Sequence, residues 1–320
     1  MKKLLLFTAL LTSFLGFTQA SLVKDINPGG GSSLPISYFE YAVINNKLIF
    51  SAAIPTSNNY GNVWVSDGTE SGTLMLHQLV PSGDGYAQDF YYSNNLGKVI
   101  FMGNNGAANT FSVFVTDGTS SGLQSLSGTN YAQLNAQNNN QFPQGFIDFN
   151  GNVFFNLEQT NLSTGYELFS TNGTEAGTGL FKELRTGAFG GNPYGFTVLN
   201  NKLYFVSLDP TSSGFELWTS DGTAVGTSLF IDLNPGTANS FPSELIVFNN
   251  KLYFTADNGT NGRELWTTDG TLSGTYMILD LYSGSVGSNP TNLTVYNNAL
   301  YFTATHATLG NEIFKMSTAE

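Results

Sequence analysis

The sequence predicts an all-β protein, a six-bladed β-propeller of four-stranded antiparallel blades with the N-terminal strand completing the last blade. Three observations carry this. A twelve-residue signature recurs at nearly constant spacing, each repeat holds four short apolar runs separated by turn residues, and the two ends of the chain hold complementary fragments of one repeat.

The signature is clearest as ELWTSDGTAVGT at 216–227 and ELWTTDGTLSGT at 264–275, with relatives at 63–73, 113–123 and 166–178 and a shortened copy, EIFK, at 312–315. Its aromatic position gives the period: Trp64, Phe114, Phe169, Trp218, Trp266 and Phe314, in steps of 50, 55, 49, 48 and 48 residues. Self-similarity at this spacing marks a repeat architecture in which each unit is one supersecondary element.

Residues 245–280 show the unit. An apolar run at 245–248 is followed by Asn249-Asn250, a second run at 251–256, a polar loop at 257–263, a third run at 264–267, an Asp-Gly-Thr turn and a fourth run at 276–280. Four short runs joined by such turns read as an antiparallel meander. Asn, Asp and Gly tolerate the positive φ that tight hairpins require. The runs are apolar on both parities, as in Leu252, Tyr253 and Phe254, which a sheet with one wet face would not be. Both faces are therefore covered, each small sheet lying between two others. No stretch after residue 20 reads as a helix.

The chain ends decide between a ring and an open stack. Residues 22–29 (LVKDINPG) look like the fourth run and exit of a repeat, as in FIDLNPG at 230–236, with no first three runs before them. The sixth repeat stops after its third run. An N-terminal strand at 23–26 beside 312–315 closes the ring, whereas an open stack would leave that strand unpaired and two apolar end faces bare. Residues 21–320 form one domain on this reading.

Residues 1–20 read as a cleaved signal peptide: Lys2 and Lys3, an apolar stretch at 4–17, and a small residue at Ala20. The apolar stretch is shorter than the roughly 20 residues a spanning helix needs, so no membrane insertion is expected. Export past the inner membrane follows, to the periplasm, the cell surface or the medium. The chain has no Cys, which excludes disulfide and thiol chemistry. Without Lys2 and Lys3, the 11 basic residues become nine against 23 acidic ones, a net charge of −14. Such a field disfavours nucleic acid and anionic membranes as partners.

The recurrent turn residues are Asp67, Gly68 and Thr69; Asp117, Gly118 and Thr119; Asn172, Gly173 and Thr174; Asp221, Gly222 and Thr223; Asp269, Gly270 and Thr271. Their reading is structural: the Asp side chain accepts from backbone amides two residues on, and Gly makes the turn. Calcium is the rival reading, since Asp and Thr oxygens suit it, but Asn172 lacks the charge a cation wants. The loop at 257–262 supplies two further calcium candidates, Asp257 and Asn261. Glu167, Glu216, Glu264 and Glu312 open the third runs, where an edge carboxylate bonded to a neighbouring backbone is expected. The tryptophans read as packing between blades, because Phe replaces them elsewhere. His77 and His306 fall in different repeats and are expected at the surface, with no nucleophile–base–acid order around them.

The ELWxxDGT motifs resemble the ELWxxDGT repeat family, also called hyalin-like, over nearly all of residues 21–320. The resemblance implies a secreted bacterial propeller with no enzymatic activity established for the family as a whole. The expected function is a non-catalytic binding or adhesion module for a glycan or protein ligand, acting as a monomer. A structural surface-layer or matrix protein and a polysaccharide-acting hydrolase or lyase are the alternatives. Binding is expected on the rim that carries the variable loops, 53–61, 103–110, 158–164, 209–214, 257–263 and 305–310, together with the long inter-blade loop at 127–145.

Overall fold

Paired asparagines set the unit of the fold. Asn45-Asn46, Asn200-Asn201, Asn249-Asn250 and Asn297-Asn298 all have φ between 46° and 59°, and Asn150-Gly151 follows suit at 49° and 80°. Two successive left-handed residues make the hairpin turn whose twist matches that of its strands. The computed structural model describes residues 20–28, 32–33, 41–53, 61–80, 85–104, 111–126, 145–158, 165–187, 189–208, 214–236 and 238–317. The expected leader, apart from Ala20, and most of the variable loops lie outside the described residues.

Six antiparallel sheets result, arranged like the blades of a propeller. Blade one holds β1 (Tyr41–Ile44), β2 (Lys47–Ala52), β3 (Asn62–Ser66) and β4 (Leu74–His77). Blade two holds β5 (Gln88–Ser93), β6 (Lys98–Asn104), β7 (Phe111–Thr116) and β8 (Gln124–Ser125). Blade three holds β9 (Ile147–Phe149), β10 (Asn152–Glu158), β11 (Tyr166–Thr171) and β12 (Thr178–Lys182). Blade four holds β13 (Tyr194–Leu199), β14 (Lys202–Leu208), β15 (Phe215–Ser220) and β16 (Ser228–Ile231). Blade five holds β17 (Ser243–Phe248), β18 (Lys251–Asp257), β19 (Arg263–Thr268) and β20 (Tyr276–Leu279), and blade six holds β21 (Thr291–Tyr296), β22 (Ala299–His306) and β23 (Gly310–Ser317). No helix is present among the described residues, and none there is long and apolar enough to cross a membrane.

Burial of both sheet faces is visible in the cores. Phe254, Ala256 and Trp266 of blade five pack with Leu199, Tyr204 and Leu217 of blade four. Equivalent clusters join blades one and two, two and three, three and four, and five and six. Each is built on the aromatic pair of the second and third strands, such as Phe205 stacked on Trp218 at 6.3 Å and Phe302 on Phe314 at 5.6 Å. The tryptophans are buried packing residues, and Trp64 and Trp266 each donate to a carbonyl of the adjoining strand at 3.1 Å.

The sixth junction differs from the expectation. Blade six has three strands in the order β21-β22-β23, and residues 22–26 form no strand beside β23. The N-terminal strand therefore does not complete the last blade. The segment is held on blade one instead: Ile26 packs on Phe50, Ala52 and Trp64, and Lys24 Nζ donates to the Glu70 carbonyl at 3.3 Å. Ile26 stands where Leu233 stands on Phe254, Ala256 and Trp266 one blade further on, so half of the expected joint is made. Contact of one apolar side chain fixes the segment without a ladder. The outer face of blade six stays in solvent, with Tyr296 68% and Ile313 75% exposed.

The Asp-Gly-Thr turn is an internally bonded unit. In blade four, Thr223 donates to Asp221 Oδ1 from its amide at 2.8 Å and its hydroxyl at 2.7 Å. The Thr223 hydroxyl accepts from the Gly226 amide at 2.9 Å, and Thr227 Oγ1 donates to the Thr223 carbonyl at 2.7 Å. Asn172 makes the same bonds with its amide oxygen, at 3.1 and 2.7 Å. A Cβ on Gly226 would overlap the Asp221 carboxylate, as one on Gly72, Gly122 or Gly274 would overlap the carboxylate of its own turn and one on Gly177 the Asn172 amide. Gly226→Ala is therefore expected to swing Asp221 out of its turn and lower the melting temperature by a few degrees; an unchanged thermal melt would refute this role.

Candidate functional site

In blades two, four, five and six the first strand, the innermost of its blade, begins with a bulge. The register shifts between Gln88 and Tyr91, Tyr194 and Thr197, Ser243 and Ile246, and Thr291 and Thr294. Each bulge holds one left-handed residue: Asp89, Gly195, Glu244 and Asn292, with φ from 57° to 68°. For a residue with a side chain this conformation costs on the order of 1–2 kcal/mol, so it is kept by its surroundings. Glu244 Oε2 accepts from the Leu293 amide of the next blade at 3.1 Å, which fixes the bulge.

The bulges of blades four, five and six wall a cavity of about 700 Å³. Tyr194, Phe196, Phe241, Leu245, Ile246 and Leu293 supply apolar wall, and Glu244 and Arg263 supply opposite charges. Ser243 faces Thr255 and Asp257 faces Arg263 across the ladders, so the cavity lies at the end of the blades away from the Asn-Asn turns. That is the rim on which binding was expected, although most of its loops are outside the described residues.

Arg263 is the unusual member. The corresponding position opens β11 with Tyr166 and β15 with Phe215. One guanidinium nitrogen, Nη1, donates to Ser243 Oγ at 3.1 Å, to the Thr255 carbonyl at 3.3 Å and to Thr255 Oγ1 at 3.0 Å. Burial pulls its pKa down, opposed by Tyr194 and Asp257. Tyr194 is buried, its phenol pushed well up by desolvation, and its hydroxyl donates to the Pro242 carbonyl at 3.4 Å. Sequence reasoning missed this cavity. The available signal was a single basic residue at a position that is aromatic in the two preceding blades.

The glutamates that open the third strands are buried and bond the exit of their own blade. Glu167 accepts from the amides of Leu184 (2.6 Å), Arg185 (3.3 Å) and Gly191 (3.1 Å). Glu216 accepts from the Leu233 amide at 3.1 Å, the Ser240 amide at 2.8 Å and the Ser240 hydroxyl. Glu264 accepts from the amide and hydroxyl of Ser288. Glu312 lies exposed on blade six. These carboxylates hold the chain's passage from one blade to the next rather than a ligand.

Burial raises Glu167 to about 7, its backbone hydrogen bonds holding it partly down, and raises Glu216 and Glu264 in the same way. The unfolded chain releases the Glu167 proton near 4.5 and the folded chain near 7, so stability falls as pH rises through that window. Asp67, Asp117, Asp221 and Asp269 act oppositely, because hydrogen bonds from Thr hold them below the ordinary 3.8. Their contribution is complete above 3.8 and fades as pH falls through their lower folded values. The melting temperature is thus expected to peak near pH 4–5 and to be lower at 7.5. A thermal melt series rising steadily to neutral pH would contradict this.

The remaining expected sites are otherwise engaged. Asp257 Oδ1 accepts from the Gly259 amide at 2.7 Å, and Asn261 is bonded to Asn258 at 3.0 Å and to Asp280 at 2.8 Å. No group of three or more His, Cys, Asp or Glu side chains able to hold a metal occurs among the described residues. His77, expected at the surface, is buried, and its Nε2 lies 3.1 Å from Thr116 Oγ1 because blade two covers it. His306 contacts Thr308 at 3.1 Å in blade six.

No family model matches the chain, and no curated protein matches it. Among solved structures it is similar to puromycin hydrolase, at 13% identity and TM-score 0.51, over 89% of this chain and 44% of that one. It is also similar to a puromycin-hydrolyzing peptidase of Mycobacterium tuberculosis, at 10% and 0.52, over 91% and 43%. A third is prolyl oligopeptidase B of Galerina marginata, at 10% and 0.51, over 91% and 40%. At these identities the likeness establishes the fold. The chain spans less than half the length of these proteins. They correct the expected non-catalytic adhesion module, because the solved chains that share this fold are named for hydrolysis.

Proposed function

We propose that this chain serves peptide hydrolysis as the propeller that holds the peptide, with export to the periplasm or beyond as its leader implies. The observation that carries the proposal is the cavity of about 700 Å³ among the inner strands of blades four to six, apolar and aromatic on its walls with one group of each charge. That size and mixture suit a ligand with apolar side chains and a polar backbone. The likeness to a hydrolase and peptidases supports the reading at the level of fold.

Titration calorimetry with peptides of two to ten residues tests it. Apolar peptides are expected to bind, and Phe241→Ala, which trims a 41% exposed wall residue, to weaken them without unfolding the chain. Peptide binding unaffected by Phe241→Ala, or binding of oligosaccharides in place of peptides, would overturn the proposal.

A further inference from the structure

The two charges in the cavity ask for complementary charges. A half-buried guanidinium costs free energy unless an anion or several acceptors meet it. Arg263 has acceptors for Nη1 alone, and among the described residues no carboxylate lies within ion-pair distance of it. Its other nitrogens keep the fork that matches a carboxylate in two places. Glu244 is fixed in a left-handed conformation on the same cavity wall, with Oε2 spent on the Leu293 amide and Oε1 accepting from no group among the described residues. Phe196, Phe241, Leu245 and Ile246 line the same cavity.

Resting on the peptide reading above, we propose that the cavity recognises a short apolar peptide by both of its free ends. Arg263 takes the terminal carboxylate, Glu244 takes the terminal ammonium, and the aromatic wall takes the side chains. An extended residue spans roughly 3.3–3.6 Å, so a dipeptide or tripeptide suits a cavity of about 700 Å³ and a long chain does not. The chemistry is that of a cleaved fragment, which carries both charges, and not of an internal stretch of protein, which carries neither.

The test compares Leu-Phe with its N-acetylated and its C-amidated forms by calorimetry on the full chain, Arg263→Gln and Glu244→Gln. Removing one charge-assisted contact is expected to weaken binding about tenfold or more. Amidation should do so in the unaltered protein and have no further effect in Arg263→Gln; acetylation should do so and have no further effect in Glu244→Gln. Arg263→Lys, which keeps the charge and loses the fork, gives an intermediate result and covers the case in which Arg263→Gln does not fold. Equal binding of free and blocked peptides would overturn end recognition and leave the peptide reading standing. Persistence of the amidation effect in Arg263→Gln would also overturn it. Binding of none of the three would remove the peptide reading itself.

Discussion

Glu216→Ala lowers the melting temperature by about 6–9 °C, and Glu312→Ala, at the same position of the motif, leaves it unchanged. The side chain of Glu216 is 1% exposed and receives three hydrogen bonds, from the Leu233 amide and from the amide and hydroxyl of Ser240. Removing it strands two buried amides and leaves the Ser240 hydroxyl only the Phe215 carbonyl at 3.3 Å. Each costs about 1–3 kcal/mol, and with partial relaxation and water entry a net loss of about 3 kcal/mol is expected. For a chain of this size 1 kcal/mol corresponds to about 2–3 °C. Glu312 is exposed and holds no such passage, and surface substitutions of that kind stay within about 0.5 kcal/mol. Paired thermal melts check both. Equal losses at the two sites would mean that the Glu acts through its strand and not through the bonds it accepts.

Phe254→Ala is expected to cost more, about 3–5 kcal/mol, with a fall of about 6–15 °C. Phe254 is fully buried between blades four and five, against Tyr204, Leu217, Leu252 and Trp266. The ring faces a neighbouring sheet that is itself held by its own ladders, so the void cannot collapse freely. Phe50, the equivalent in blade one, meets Ile26, Ala52, Trp64 and Leu48, and no blade six residue joins that cluster among the described residues. Phe50→Ala should therefore cost visibly less. Denaturant unfolding of the two variants would test the order, and a larger loss at Phe50 would show that blade six covers it in solution.

Much of the fold was legible because the same local rules recur in each blade. A two-residue Asn turn, an aromatic every 48 to 55 residues and apolarity on both parities each have one structural solution, and their agreement fixes six sheets. The sixth junction was read too far. Residues 22–26 have the composition of a fourth strand, but composition does not distinguish a strand in a ladder from a segment leaning by Ile26 on the next blade. His77 was misplaced for a similar reason: its neighbour Thr116 is 39 residues away, and only the blade-on-blade packing brings them together. The cavity was invisible because it is assembled from bulges in three blades. Arg263, Glu244 and Phe196 have no spacing in common, and a positive φ at Glu244 leaves no mark in the residue itself.

The bare third strand of blade six gives the molecule a direction of unravelling. Its outer backbone groups have no ladder beyond them among the described residues, and Lys315, whose ammonium sits 5.9 Å from the Tyr301 ring, is the kind of charge that discourages another chain from docking there. Deuterium should then enter β23 first and the strands of blades three and four last, and a force drawn on the C-terminus should peel sheets one after another instead of bursting the whole circle at once.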